Sequence, residues 1–342
     1  MSAGALVRNR ILGWTLVMML GALPALGQSK TGTTIGQFLL IEPSARIAGM
    51  GNAGVSVADG LDAVYFNPAV IGLLQGYAMQ FTHSAWLADI RYDYVAVSIP
   101  AGKWGGVVAS LTALNSGDID VRTVTRPLGT GERYSVSDVA IGLGYGRQIT
   151  DRFSAGAQVN YVQETIWHSS LNTIVLNLGT LYRVSDRGLR LGASLANVGT
   201  RGRFSGRDLN LVYDNDPGRY GDNSTLPGEI FMGEFDVPTL FRVGVGMPFR
   251  LGPRAQLDLA ADVFHPSDNT EGISAGAEFR YARRFALRGG WQDAFQQDSE
   301  VGLTAGGGVQ GKLDVYGYRV DYGWAGHKRL GGTHRVTIGF TF

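Results

Sequence analysis

His334-Arg335-Val336-Thr337-Ile338-Gly339-Phe340-Thr341-Phe342 closes the chain. Val336, Ile338, Phe340 and Phe342 fall on one side of an extended backbone, and Arg335, Thr337, Gly339 and Thr341 on the other. A period of two is a β-strand with one apolar face and one polar or small face. The same dyad recurs upstream. Val139, Ile141, Leu143 and Tyr145 alternate with Ala140, Gly142, Gly144 and Gly146, and Ile273, Ala275, Ala277 and Phe279 alternate with Ser274, Gly276, Glu278 and Arg280. Soluble sandwiches alternate too. These segments differ in running to about ten residues, the length a tilted strand needs to cross a bilayer, and in the small residues of their polar face.

Fourteen segments of this kind lie near 77–86, 92–100, 104–114, 136–148, 152–166, 171–184, 189–198, 239–249, 255–264, 272–281, 284–292, 300–310, 312–323 and 333–342. An even number suits a bacterial outer-membrane barrel. The links support this. Those after even-numbered segments are short, such as Thr150-Asp151, Ala282-Arg283 and a turn at Gly311. Those at 115–135 and 199–238 are long, and a polar link is expected over 324–332. Short turns face the periplasm and long loops the exterior. Trp86, Trp104, Trp167, Trp291 and Trp324 each fall at a segment end, where indole rings favour the headgroup level.

Composition excludes other classes. With 50 Gly but no Gly-X-Y period, and 44% hydrophobic residues, the 342-residue chain is neither collagenous nor disordered. Thirty Lys and Arg against 29 Asp and Glu give no basic surface for nucleic acid. The absence of Cys removes disulfides and thiolate chemistry. Beyond residue 27 no apolar run is long enough for a spanning helix. Residues 1–27 read as a secretory signal peptide: Arg8 and Arg10, an apolar run from Ile11 to Leu23, then Ala25-Leu26-Gly27.

Fourteen strands enclose a lumen too wide for wall side chains alone to fill. Residues 28–76 are Gly-rich, carry no strand pattern and precede the first strand. They are expected to form a lumenal plug of short helices and tight turns. Pro43 and Pro68 suit helix first turns, with Asn67 as a cap. Arg46, Asp59 and Asp62 would be costly inside a barrel unless paired with each other or with inward-facing Arg242, Glu278, Arg280 or Arg288. Gly49-Met50-Gly51-Asn52-Ala53-Gly54 matches a dinucleotide fingerprint, but no βαβ unit surrounds it, so it reads as close backbone packing. The five His lack metal-ligand spacing, and Asp214-Asn215-Asp216 is too little for a Ca²⁺ loop. No nucleophile–base constellation emerges; neither catalysis, a metal nor a cofactor is expected.

Residues 38–71 carry a more specific pattern: Phe38-Leu39, Ala45-Arg46, Gly49-Met50-Gly51, Val57-Ala58-Asp59, Ala63 and Tyr65-Phe66-Asn67-Pro68-Ala69. In combination these resemble the opening signature of the PorV/PorQ family, itself similar to FadL-type barrels. Asn197-Val198-Gly199, Arg288-Gly289-Gly290 and the Phe-terminated last strand also fit, although Val70 stands where the family usually has Gly. The resemblance spans roughly residues 36–342. It implies a plugged fourteen-stranded barrel in the outer membrane, without enzymatic activity. It also implies partners: outer-membrane lipid, type IX secretion components and the C-terminal signal domains of secreted proteins. Plug positions Arg46, Gly49, Gly51, Asp59, Asn67 and Pro68 carry over.

Two function classes follow. One is a barrel that captures secreted proteins. The other is a FadL-like channel that passes apolar small molecules. The longest loop mixes Arg with aromatics, the residue types of binding hot spots; Arg207, Tyr213, Tyr220, Phe231 and Phe235 are its candidate partner-binding residues. Val336, Ile338, Phe340 and Phe342 are the candidate barrel-assembly signal.

Overall fold

Fourteen antiparallel strands close on themselves. The computed structural model describes residues 31–218, 225–296 and 299–342; the leader expected over 1–27, and Tyr220, lie outside them. The strands are β1 (Ala78–Ala85), β2 (Arg91–Pro100), β3 (Gly106–Asn115), β4 (Val136–Thr150), β5 (Phe153–Ile166), β6 (Ser169–Arg183) and β7 (Arg190–Gly199). They continue as β8 (Leu240–Arg250), β9 (Ala255–Pro266), β10 (Gly272–Tyr281), β11 (Phe285–Ala294), β12 (Val301–Leu313), β13 (Tyr316–His327) and β14 (Gly331–Thr341). Each pairs with its sequence neighbour, and β1 pairs with β14 from Ala78↔Thr341 to Ala85↔His334, which closes the wall. Closure leaves no free sheet edge, the condition for a sheet to sit in lipid.

The two faces of β14 divide as their alternation dictates. Thr333, Arg335 and Thr337 are buried in the lumen, while Val336, Ile338 and Phe340 point outward. On β4, Gly142, Gly144 and Gly146 face in and Ile141, Leu143 and Tyr145 face out. Exposed apolar side chains on every flank form a belt that only hydrocarbon can cover favourably. Aromatics ring its short-turn end: Trp104, Tyr145, Tyr182, Phe249, Tyr281, Phe285, Tyr316 and Phe342 are all exposed.

One hairpin departs from the sequence expectation. The β12–β13 turn is at Asp314-Val315, with Asp314 at φ 58°, and not at Gly311. Gly311 pairs with Tyr318 inside the ladder, where a Cβ would meet the Tyr318 hydroxyl at 2.6 Å. This glycine makes room for a cross-strand ring, while Asp tolerates the left-handed turn position. β13 therefore extends to His327, and the link expected over 324–332 shrinks to 328–330. Trp324 lies within the strand, and its ring lies 2.9 Å from where a Cβ on Gly326 would stand. Trp291 likewise lies inside β11.

The two longest links carry structure of their own. Ile119–Asp120 pairs with Arg133–Tyr134, and Asn210–Tyr213 pairs with Leu226–Glu229.

Candidate functional site: the plugged lumen

Residues 31–76 run through the barrel from its long-loop end to its short-turn end. At the long-loop end, Ile35 N donates to Asp236 O at 3.0 Å, and Thr34 Oγ1 donates to Asp268 Oδ2 at 2.8 Å. At the other end Gly76 leads into β1. Between them the chain makes short helical turns. Ser44 caps Ala45–Ala48 by accepting from Ile47 N at 3.0 Å, so Pro43, expected in the first turn, stands just outside it. Asn67 caps Pro68–Leu73, accepting from Ala69 N at 3.0 Å; its amide donates to Val55 O at 2.8 Å and to Thr180 O of β6 at 2.9 Å.

The lumen has two chemically distinct halves. On β2–β6 the inward residues include Tyr92, Tyr94, Ala96, Val108, Leu114, Ala140, Val162, Leu171 and Val175, which pack with Phe38, Leu39, Phe66, Val70 and Ile71 of the plug. On β9–β14 the buried inward residues are, apart from Ala260 and Ala325, mostly charged or hydroxylic, among them Asp262, Glu278, Arg288, Thr304, Asp321, Arg335 and Thr337. The plug is thus amphipathic across the barrel axis. One face buries hydrocarbon, worth about 25 cal/mol per Å², and the other meets a polar wall.

Glycine permits the close approach. A Cβ on Gly51, which has φ +66°, would stand 2.7 Å from Trp291 O and 2.8 Å from Ala275 O. One on Gly49 would meet Gly306 Cα at 3.1 Å. The Gly49-to-Gly54 motif therefore packs against the wall rather than only within the plug.

The charged half centres on a closed ring. Arg46 Nη2 lies 2.7 Å from Glu278 Oε2, Glu278 Oε1 2.7 Å from Arg288 Nε, and Arg288 Nη1 2.8 Å from Asp321 Oδ1. Asp321 Oδ2 lies 2.7 Å from Arg319 Nε, Arg319 Nη2 2.6 Å from Asp62 Oδ1, and Asp62 Oδ2 3.7 Å from Arg46 Nη1. Three guanidiniums and three carboxylates alternate, so each buried charge has opposite neighbours, as burial requires. Asp59, half exposed, attaches at the side: 3.1 Å to Arg46 and 3.0 Å to Arg280, which also reaches Asp258 at 2.7 Å. Burial alone would raise the Asp59 carboxyl, but Arg46 and then Arg280 outweigh it and hold it well below its ordinary value. Burial opposes the Arg46 charge, and Asp59, Glu278 and Asp62 together reverse that.

Of the expected wall partners, Glu278 contacts Arg46, Arg280 contacts Asp59, and Arg288 joins through Glu278. Arg242 does not join the ring; it holds Glu42 at 2.7 Å nearer the long loops. Sequence reading missed Arg319, Asp321, Asp258 and Glu42. Arg319 and Asp321 are two apart on the inward face of β13, a signal that the alternation carried.

Hollows lie at both ends of the plug. A cavity of about 200 Å³ opens beside Leu40, Glu42, Asn52, Arg242, Asp262 and Phe264 toward the long loops. Another of about 200 Å³, lined by Ala58, Leu73, Arg152, Ser154, Leu181 and Arg190, lies at the short-turn end.

The candidate loop residues do not converge. Arg207 turns to the rim and donates from Nη2 to His168 Nε2 at 2.6 Å, and Phe235 packs inward against the plug core. Tyr213 and Phe231 are exposed, Phe231 by 84%. At the C-terminus, Phe342 N donates to Tyr77 O at 2.9 Å, and its ring meets that of Tyr316 edge-on at 5.6 Å.

No protein-family model matches the chain, and no curated protein matches it in sequence. Solved structures do. The toluene transporter TodX of Pseudomonas putida superposes with a TM-score of 0.56 at 12% identity, covering 88% of this chain and 98% of that one. The CymD monoaromatic hydrocarbon channel gives 0.55 at 13% identity over 88% and 97% of the two chains. A Pseudomonas aeruginosa FadL homologue gives 0.54 at 10% identity over 87% and 98%. Nothing in these comparisons singles out the PorV/PorQ family among such barrels. At these identities the likeness is one of fold, and with the apolar belt it makes the chain a fourteen-stranded outer-membrane β-barrel of FadL-like architecture.

Proposed function

We propose that the protein is a plugged channel for small, largely apolar molecules. The observation that carries this reading is a pair of hollows at opposite ends of a plug that is joined to the wall by side-chain contacts and not by strand pairing. A passive pore needs no plug, and a purely structural barrel needs no hollow of ligand size beside it. The fold neighbours named for toluene and monoaromatic hydrocarbons make that solute class the first to try. In this reading the apolar half of the lumen supplies hydrocarbon contact, and the Arg46 ring holds the plug in the closed position.

The test is flux. Full-length protein in liposomes should admit labelled toluene faster than protein-free vesicles, and Arg46→Gln, which loosens the ring, should admit it faster still. Equal flux with and without protein, in both forms, would overturn the reading.

A second reading, capture of secreted proteins at the outer face, draws on Val212, Tyr213 and Phe231, which are exposed on the long loop. Exposed aromatics on or beside the paired segments Asn210–Tyr213 and Leu226–Glu229 are hot-spot material, and the loop-shortening experiment below addresses it.

A further inference from the structure

The long-loop cavity has a charge imbalance. Four carboxylates line it, Glu42, Asp262, Asp268 and Asp293, against one guanidinium, Arg242. That guanidinium is already engaged by Glu42 at 2.7 Å. Three oxygens among the lining residues are buried without a hydrogen-bond partner: Asn52 Oδ1, Asp262 Oδ1 and Asp268 Oδ1. Their residues are 5%, 1% and 4% exposed. Such atoms in a native structure call for an occupant.

The second polar atom of each group is committed. Asn52 Nδ2 donates to Glu42 Oε2 at 3.1 Å, Asp262 Oδ2 accepts from Val55 N at 2.9 Å, and Asp268 Oδ2 accepts from Gln37 Nε2 at 2.6 Å. The side chains are therefore held in place with one acceptor left over on each. With the carboxyls ionised, all three free atoms are acceptors, so their complement is a hydrogen-bond donor, and a positive one would hold this many buried carboxyls in the ionised form together.

Among the described residues, no three carboxylates or imidazoles converge closely enough to hold a metal ion. An ammonium reaches its acceptors at about 2.8 Å, further than a metal–oxygen bond, so it suits acceptors spaced more widely than a metal requires. Leu40, Leu240 and Phe264 give the same cavity apolar wall. Its volume of about 200 Å³ suits one substituted ring, since a cavity of about 150 Å³ takes benzene.

We propose that this cavity selects a small amphiphile with an ammonium head and a single-ring or short-chain body over neutral and anionic analogues of the same size. The proposal rests on the channel reading and narrows its solute class.

The test is equilibrium binding of benzylammonium, toluene and benzoate to full-length folded protein in detergent. Benzylammonium should bind at least about ten-fold more tightly than either analogue, and its affinity should fall as salt rises. Asp268→Asn and Asp262→Asn, each checked for heat-modifiable folding, should each weaken it by about ten-fold, the scale of one charge-assisted hydrogen bond. Equal binding of toluene or benzoate would overturn the charge selectivity while leaving the channel reading intact. Binding of none of the three would overturn the site, and the liposome flux of toluene would then judge the channel reading separately. Occupancy by Ca²⁺ alone, with no benzylammonium bound, would also overturn the proposal. The salt dependence is read on the unsubstituted protein, so a variant that fails to fold does not remove the test.

Discussion

Nη2 of Arg46, on the plug, lies 2.7 Å from Oε2 of Glu278, on β10, with both side chains almost wholly buried. This contact joins a segment without strand structure to the closed wall. It also completes a ring whose other members hold one another through Arg288, Asp321, Arg319 and Asp62. Removing one member of such a buried set costs far more than the set contributes against an apolar replacement.

Arg46→Leu should therefore destabilise the folded barrel by about 3–5 kcal/mol, because Glu278 and Asp62 lose a neutralising partner. Chemical unfolding monitored by heat-modifiable mobility is the measurement. A midpoint unchanged from the parent would mean that the ring contributes no net coupling.

Acid should loosen the same region. The Asp59 carboxyl is held below its unfolded value, so its contribution is present above about pH 4 and is lost as pH falls through its lower folded value. Asp59→Asn should flatten the acid limb of the stability profile below about pH 4 and lower stability at neutral pH by the same amount, which is small because the half-exposed side chain is screened. An unchanged acid limb would assign the loss to other carboxylates.

Gly51→Ala should weaken plug seating by on the order of 1–3 kcal/mol, since the position has positive φ and a Cβ would stand 2.7 Å from Trp291 O. Gly289→Ala is the control, with nothing within 4 Å of its Cβ position. Proteolysis of the plug in folded protein should separate the two; equal resistance would show that the wall yields.

Deletion of Phe342 should lower the yield of heat-modifiable barrel in outer-membrane fractions. The residue ends the outward apolar row of β14 and ties its end to Tyr77. Normal assembly of the deletion would remove this row's terminal ring as an assembly signal.

Replacing 203–234 by a tight Gly-containing turn should leave the barrel folded. Gly202 and Phe235 already pair, with Gly202 N donating to Phe235 O at 3.0 Å and the reverse bond at 2.9 Å, so a turn can join them directly. Altered toluene flux would tie the loop to the channel mouth. Loss of captured secreted proteins with flux intact would favour the second reading, and no change in either would leave the loop as a cover.

Strand alternation by itself determined the wall. Because side chains in a strand alternate strictly, the rows Val336-Ile338-Phe340 and Ile141-Leu143-Tyr145 declare which face meets lipid, and segment lengths with link lengths give number and orientation. The turn at Asp314 escaped that reading because Gly311 serves cross-strand packing against Tyr318, which depends on the register of the hairpin and not on the alternation within one strand. The need to pair Arg46 was legible, since a buried charge cannot stand alone. Which carboxylates pair with it was decided only by closure of the barrel. β10, β11 and β13, with β12 between the last two, must curve around one piece of plug before Glu278, Arg288, Arg319 and Asp321 join a common ring with contacts under 3 Å. The same holds for the cavity at the long loops. Its acceptors come from Asn52, Asp262 and Asp268, far apart in sequence, and nothing local in the chain marks them as neighbours.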